Sequence, residues 1–397
     1  MERTLTMPTT NCAITGLGLT DVGKVYGKSA GQFAAEAVRR AVSDAGLSTG
    51  DIDGLLVMSG LAKGVNLDLA GTLGLSNLGL LAQMNVYGAT VGAMIEYASL
   101  AIATGNVSVV ACVFADAPLR PDTTGGAAWS EYTTRGARRG LPGLRAAIGL
   151  SSPTAHYALA ARRHMSEYGT TSEQFGAVAV AQRQWAQHNP QAQFRGPISI
   201  EDHQRSRIIS DPLHLLDCCL VSNGGAAIIV TSAERARDLR QPPAYIWGWG
   251  QGHPGHGWEQ GSQFGLTTGA VQSGRAAMKM AGVTPADVSI REIYDCYTYT
   301  VLVTLEDYGF CAKGEAGPLA ESGALGPGGA LPTNTGGGQL SAYYLVGMTP
   351  LIEAVTQARG HGNERQIADN SMILASGNGG ILSHHSTVLL SPELPAI

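Results

Sequence analysis

The stretch GGGQLSAYYLVGMTP, residues 336–350, sets two phenols, Tyr343 and Tyr344, between a glycine run and the start of a helical pattern. Glycines ahead of a helix let a phosphate, an oxyanion or a substrate carbonyl come close to the backbone. A phenol delivered there can donate a hydrogen bond to a ligand oxygen or exchange a proton with it. The other residue types capable of chemistry form weaker patterns. Six cysteines (Cys12, Cys112, Cys218, Cys219, Cys296, Cys311) contain no CxxC pair and no zinc spacing, so they read as buried thiols, with no disulfide framework and no metal site. Cys218 and Cys219 precede a buried strand pattern. His253 and His256 in GHPGHGW lack an acidic or thiol partner and read as a surface turn, while His384 and His385 fall on opposite faces of the last strand. Arg135, Arg138, Arg139 and Arg145 form a basic set that suits phosphates, a solvated loop being the competing reading.

The elements that must position these groups are alternating helices and strands. Residues 29–57 and 272–295 repeat one helix–turn–strand pattern, Ala45-Gly46-Leu47-Ser48 with Asp51 matching Ala281-Gly282-Val283-Thr284 with Asp287. In each, glycine closes a helix and Ser or Thr opens the next turn. Residues 86–105 and 342–360 form a second pair, sharing Ile-Glu at 95–96 and 352–353, a register that makes Tyr344 the repeat mate of Tyr87. The chain thus reads as two α/β halves: 1–118 completed by 209–240, and 241–397, with 119–208 inserted as a loop or lid subdomain.

Length and charge bound the function. The 397 residues, 44% hydrophobic and 14% charged, make an ordinary globular chain large enough for this duplication. A net charge of −5 with no basic tail argues against nucleic acid and membrane surfaces. With no signal-type opening and no stretch of about 20 apolar residues, the chain is expected to be cytoplasmic.

The duplicated order and several strings, residues 168–230, 293–311 (IYDCYTYTVLVTLEDYGFC), 334–360 and 375–390 (ASGNGGILSHHSTVLL), resemble the thiolase superfamily in its sterol-carrier-protein-type branch. The resemblance covers essentially the whole chain. It implies a five-layered αβαβα fold of two duplicated halves with a loop-domain insertion, and a coenzyme A thioester as substrate. At the four positions where the family carries its catalytic groups, this chain departs. The nucleophile turn reads NVYGATVGAM, placing Tyr87 or Gly88 where a cysteine stands; Tyr294 of Tyr294-Asp295-Cys296-Tyr297 takes one histidine's place, Tyr344 the other's, and Ala375 or Ser376 falls at the second cysteine.

A phenol with a reference pKa near ~10 is a poor acyl acceptor, so a covalent acyl-enzyme is not expected. Retro-aldol cleavage of a β-hydroxyacyl thioester needs only a base for the hydroxyl proton and a donor for the enolate oxygen. Tyr344, expected at a positive helix start, is assigned as base and Tyr294 as donor, with the roles exchangeable. Support in the cleft or oxyanion site is expected from Tyr87, Gly88, Asn334, Gly337, Gly338, Tyr343, Asn378 and Gly379, the glycines admitting the thioester and Tyr343 shaping the cleft. The pattern resembles the lipid-transfer-protein-like aldolases of steroid side-chain degradation. That implies a 17-hydroxy steroid with a C20-carboxyl-CoA side chain, cleaved to a 17-ketosteroid and propionyl-CoA. It also implies a homodimer paired with a small OB-fold and zinc-ribbon partner, forming a heterotetramer, with any zinc in the partner and no cofactor in this chain. The rivals are a non-catalytic acyl-CoA or lipid carrier, in which the tyrosines only pack, and a thiolase-type acyltransferase with an unconventional nucleophile.

Overall fold

A computed structural model of the chain describes residues 11–128, 140–150, 152–255 and 261–395. Among them, nine strands make one mixed sheet: β1 (Cys12–Leu19), β2 (Gly54–Ser59), β3 (Leu80–Gln83), β4 (Val109–Asp116), β7 (Gly224–Ser232), β8 (Ala244–Gly252), β9 (Ile290–Glu292), β10 (Ile373–Gly379) and β11 (His384–Ser391). A separate ribbon pairs β5 (Ile208–Ser210) with β6 (Leu213–His214). The sheet order β3-β2-β4-β7-β1-β8-β11-β10-β9 is symmetric about the β1/β8 seam except for the edge strand β3, which has no counterpart strand beyond β9. β2 and β4 pair in parallel as β9 and β10 do, and β4 and β7 antiparallel as β10 and β11 do. The seam itself is short, Ala13 opposite Tyr245 and Ile14 opposite Ala244.

Glycine brings each outer helix onto its half-sheet. Helix α1 (Ala30–Ala45) lies over β1, β4 and β7, and a Cβ at Gly16 or Gly18 of β1 would stand 2.2 or 2.1 Å from the carbonyl oxygens of Ala41 and Ala37. In the other half, Gly248 and Gly250 of β8 stand in the same relation, 2.3 Å in each case, to Ala277 and Ser273 of the helix Ala270–Ala281. The helix stops repeat as well: Gly46 and Gly282 take left-handed φ values of 77° and 70°. Ser48 and Thr284 each direct both N–H and hydroxyl at a carboxylate three residues on, Asp51 and Asp287, at 2.7–2.8 Å.

Between the half-sheets lie α2 (Thr90–Ala103), which touches strands of both halves, and a second helix, Met348–Ala358, against β9, β10 and β11. With the outer helices this makes five layers. The hydrophobic core is continuous across the seam, from Ile14, Met94 and Ile228 to Ile246, Leu351 and Leu389.

The structure corrects the register of the second repeat. Both central helices are entered through one kind of elbow. Val86 N donates to Thr90 Oγ1 at 2.8 Å and Thr90 N to Tyr87 O at 3.1 Å; Leu345 N donates to Thr349 Oγ1 at 2.9 Å and Thr349 N to Val346 O at 3.2 Å. Tyr87 and Val346 occupy equivalent left-handed positions, φ 52° and 46°. The mate of Tyr87 is therefore Val346, not Tyr344, because the shared Ile-Glu pairs lie two residues out of step with the backbone bonds that define the turn.

Candidate active site

The two phenols singled out in sequence meet: Tyr294 OH and Tyr344 OH are 3.2 Å apart. Tyr294 follows β9 by two residues, and its N–H donates to Ser376 Oγ of β10 at 3.0 Å while its carbonyl accepts from Thr300 Oγ1 at 3.2 Å. Tyr344 is placed by a different loop. A single π-turn, Gly338–Ala342, precedes an extended Tyr343, and Tyr344 N then donates to Ser222 Oγ at 3.0 Å. Tyr344 thus stands ahead of the elbow and not, as expected, in the first turn of the helix beginning at Met348, where the helix dipole would have favoured a phenolate.

Asp295 staples the two loops together. Its carboxylate is fully buried and accepts from Gln339 N at 2.8 and 3.0 Å and from Leu340 N at 3.2 Å, so it turns away from the phenol of its neighbour. Burial raises it to about 7, against the opposing effect of those N–H groups. A Cβ at Gly338 would stand 2.2 Å from Asp295 Oδ2, and one at Gly337 2.6 Å from Ala186 Cβ. These glycines admit a carboxylate and a helix of the insertion rather than the thioester the sequence suggested. The insertion grips the same loop elsewhere: Arg183 Nε donates to Ser341 Oγ at 2.9 Å, and Gln193 N to Ala342 O at 3.0 Å.

Other expected residues divide. Gly88 belongs to the site, since a Cβ there would stand 2.5 Å from the Tyr294 ring and 2.1 Å from Asn378 O. Gly379 approaches the other side of that elbow, 2.4 Å from Tyr87 Cβ on the same construction. Tyr87 is 58% exposed and stacks on His384, with ring centroids 5.9 Å apart. Asn378 is buried, and among the described residues its amide has no partner. Asn334 Oδ1 accepts from Ile293 N at 2.6 Å, bracing the strand end, while its buried Nδ2 has no hydrogen-bond partner among the described residues. Tyr343 does not shape the cleft with Tyr344, because extended neighbours point opposite ways; it lines a small enclosed cavity with Asn334, Glu292 and Glu353. Arg135, Arg138 and Arg139 lie outside the described residues, as does the side chain of Arg145. His256 is outside them too.

Sequence reasoning missed the thiols and the insertion's aromatic. Cys219 N donates to Cys296 O at 3.0 Å, and both thiols lie near Tyr294 and Tyr344. Tyr157, buried on the helix Pro153–Tyr168, packs on Tyr297 at a centroid distance of 4.7 Å beside Cys296. The signal available was Cys296 inside the YDCY string itself. Loop 214–223 is held by Asp217, which accepts from His214 N at 2.7 Å and Thr298 Oγ1 at 2.5 Å and meets His203 Nε2 at 2.8 Å.

The electrostatics exclude a resting anion. Burial first, then the neighbouring phenol, holds Tyr294 well above 10; burial first, then Cys219, does the same for Tyr344. Burial pushes Cys218 and Cys296 up to about 12 and raises Cys219 as well. The site is therefore a pair of neutral phenols beside protonated thiols, able to donate hydrogen bonds and pass protons but lacking a nucleophile. Among the described residues no three His, Cys, Asp or Glu side chains converge as metal ligands, and no helix is long and apolar enough to cross a membrane. A surface pocket of about 1080 Å³ is lined by Lys28, Arg39, Asp44 and Arg240 and includes neither phenol.

Known proteins share this architecture. Residues 250–392 match the family model for the thiolase C-terminal domain. The chain is 39% identical to a steroid side-chain-cleaving aldolase of Thermomonospora curvata, over 93% of this chain and 95% of that one. It is also 39% identical to a 17-hydroxy-3-oxo-4-pregnene-20-carboxyl-CoA lyase of Mycobacterium tuberculosis, over 92% and 96%. An acetyl-CoA acetyltransferase of Methanothermobacter thermautotrophicus is 30% identical over 93% and 96%. Among solved structures, an Ltp2-ChsH2(DUF35) aldolase superposes with a TM-score of 0.85 at 37% identity, covering 96% of this chain and 98% of that one.

Proposed function

We propose, for a chain that belongs to the steroid side-chain-cleaving aldolases of the thiolase superfamily, that it cleaves a β-hydroxyacyl-CoA by a non-covalent retro-aldol reaction run by Tyr294 and Tyr344. The substrate we propose is a 17-hydroxy steroid bearing a C20-carboxyl-CoA side chain, and the products a 17-ketosteroid and propionyl-CoA. The observation that carries this reading is the 3.2 Å contact between two neutral phenols, Tyr294 buried and Tyr344 half-buried. An acetyltransferase reading would need a thiolate at the elbow, where Tyr87 stands.

The neutral pair changes the division of labour foreseen from sequence. Instead of a free phenolate base, the pair acts as a relay. The substrate hydroxyl proton passes to Tyr344 oxygen as the Tyr344 proton crosses to Tyr294 and the Tyr294 proton reaches the thioester oxygen. The O–H pair left on the substrate oxygen forms the ketone π bond, the Cα–Cβ pair becomes the enol double bond, the thioester C=O π pair takes the Tyr294 proton, and the enol proton is lost as Cα is protonated. No net proton enters or leaves, which suits a desolvated site where an isolated charge is costly.

The rate should therefore be nearly flat between about pH 8 and 10, above the Asp295 carboxyl at about 7. A phenolate base held above its ordinary pKa would instead give a rise of about tenfold per pH unit across that window, and a kcat/KM profile of unit slope would reject the relay.

We further propose that the chain works with a DUF35-type partner, as a homodimer in a heterotetramer, with zinc in the partner's ribbon alone, no cofactor in this chain and coenzyme A present as part of the substrate. Arg135, Arg138, Arg139 and Arg145 remain the proposed contacts for its phosphates, and a cytoplasmic location remains our expectation. The deciding experiment incubates the purified complex with the steroid thioester and follows propionyl-CoA and ketone by chromatography. Both products support the aldolase. Tight binding without either product supports a carrier, and an acyl mass shift on the protein would indicate covalent transfer.

A further inference from the structure

Of the two elbows, one exposes a side chain whose conformation is hard to maintain. Tyr87 and Val346 share the left-handed backbone that non-glycine residues rarely adopt. Val346 is 7% exposed and packs into the core, whereas Tyr87 is 58% exposed and gains no such burial. Its ring instead lies nearly flat on His384, with an interplanar angle of 14°. His384 is fixed from behind, its Nδ1 at 3.0 Å from His253 Nδ1, and His253 Nε2 stands 3.2 Å from Gln251 Oε1. The residue after Tyr87, Gly88, lies against the Tyr294 ring. An aromatic surface therefore begins one residue from the reacting phenols and runs outward to solvent.

We infer that Tyr87, backed by His384, is a specificity-determining platform for the flat apolar body of the acyl group, selecting fused-ring thioesters over short-chain ones. This rests on the aldolase reading for the kind of substrate but not for the geometry. A rigid ring laid on the phenol removes apolar surface of both from water, and the strained elbow fixes the platform relative to the 3.2 Å phenol pair. A short acyl group reaches the phenols without covering Tyr87.

The test uses Tyr87→Ala and Tyr87→Phe in the complex with the DUF35-type partner. A fused-ring CoA thioester lacking the β-hydroxyl serves as a non-cleavable probe, titrated by calorimetry. Tyr87→Ala should raise its Kd about tenfold, near the worth of one covered aromatic face, and Tyr87→Phe should keep wild-type affinity. In turnover, the ratio of kcat/KM for the steroid thioester to that for a short 3-hydroxy-3-methylacyl thioester should fall about as much in Tyr87→Ala. An equal loss on both substrates would overturn the proposal. So would an unchanged Kd accompanied by a changed oligomeric state on gel filtration, which would assign the side chain to a subunit interface. Probe binding that responds to Tyr87 while the wild type makes no product would leave the platform standing and the aldolase reading rejected.

Discussion

Tyr344→Phe and Tyr294→Phe should each lower kcat by about 10²–10⁴-fold, some 3–5 kcal/mol of transition-state stabilisation. Either change removes one hydroxyl from the relay at its 3.2 Å contact and leaves the ring in place. KM for the thioester should move little, because the lost bonds serve protons in flight rather than ground-state binding. The double variant should fall within about threefold of the worse single one, since groups that act as a unit do not add. Steady-state kinetics of the four proteins, with circular dichroism and probe titration to show that fold and binding persist, decide the matter. Full multiplicativity of the two losses would mean that the phenols act in separate steps.

Gly88→Ala should be nearly as damaging to activity and should cost stability as well. The new methyl would sit 2.1 Å from the backbone oxygen of Asn378 and 2.5 Å from the Tyr294 ring, and neither neighbour is the loose end of a flexible chain. The elbow or the ring must shift. Overpacking of this kind costs about 1–3 kcal/mol, and displacing a reacting group by about 1 Å costs about 10²-fold in rate. Denaturant melts and kcat/KM would show both effects. Gly71→Ala, where a Cβ meets nothing within 4 Å, is the matched control and should leave both almost unchanged.

The chain's local patterns specify a good deal without its structure. Helix stops such as Ala45-Gly46 and Ala281-Gly282, and the Ser48–Asp51 and Thr284–Asp287 turns, are decided within four residues, so the duplication and its first register are legible from text. The choice of Tyr294 and Tyr344 is legible too, because each stands in a string whose neighbours resemble a known site. The absence of a cysteine from the elbow, and so the loss of covalent chemistry, is equally a matter of residue identity.

Only the tertiary structure decided what depends on distance between segments far apart in the chain. The contact of the two phenols spans 50 positions, and their neutral state follows from burial at a place where Cys219, Cys296 and Tyr157 also meet, residues that no sequence window brings together. The same holds for Gly338, whose partner is the carboxylate of Asp295 and not a ligand, and for Tyr343, which an extended backbone turns away from Tyr344. The repeat register at Tyr87 shows why. Side-chain identity at Ile-Glu suggested one alignment, but the elbow is defined by backbone bonds to Thr90 and Thr349, and those fix Val346 as its counterpart. Sequence determines which chemistry is possible here; packing, by taking the phenols out of water, raises both of them and keeps them neutral.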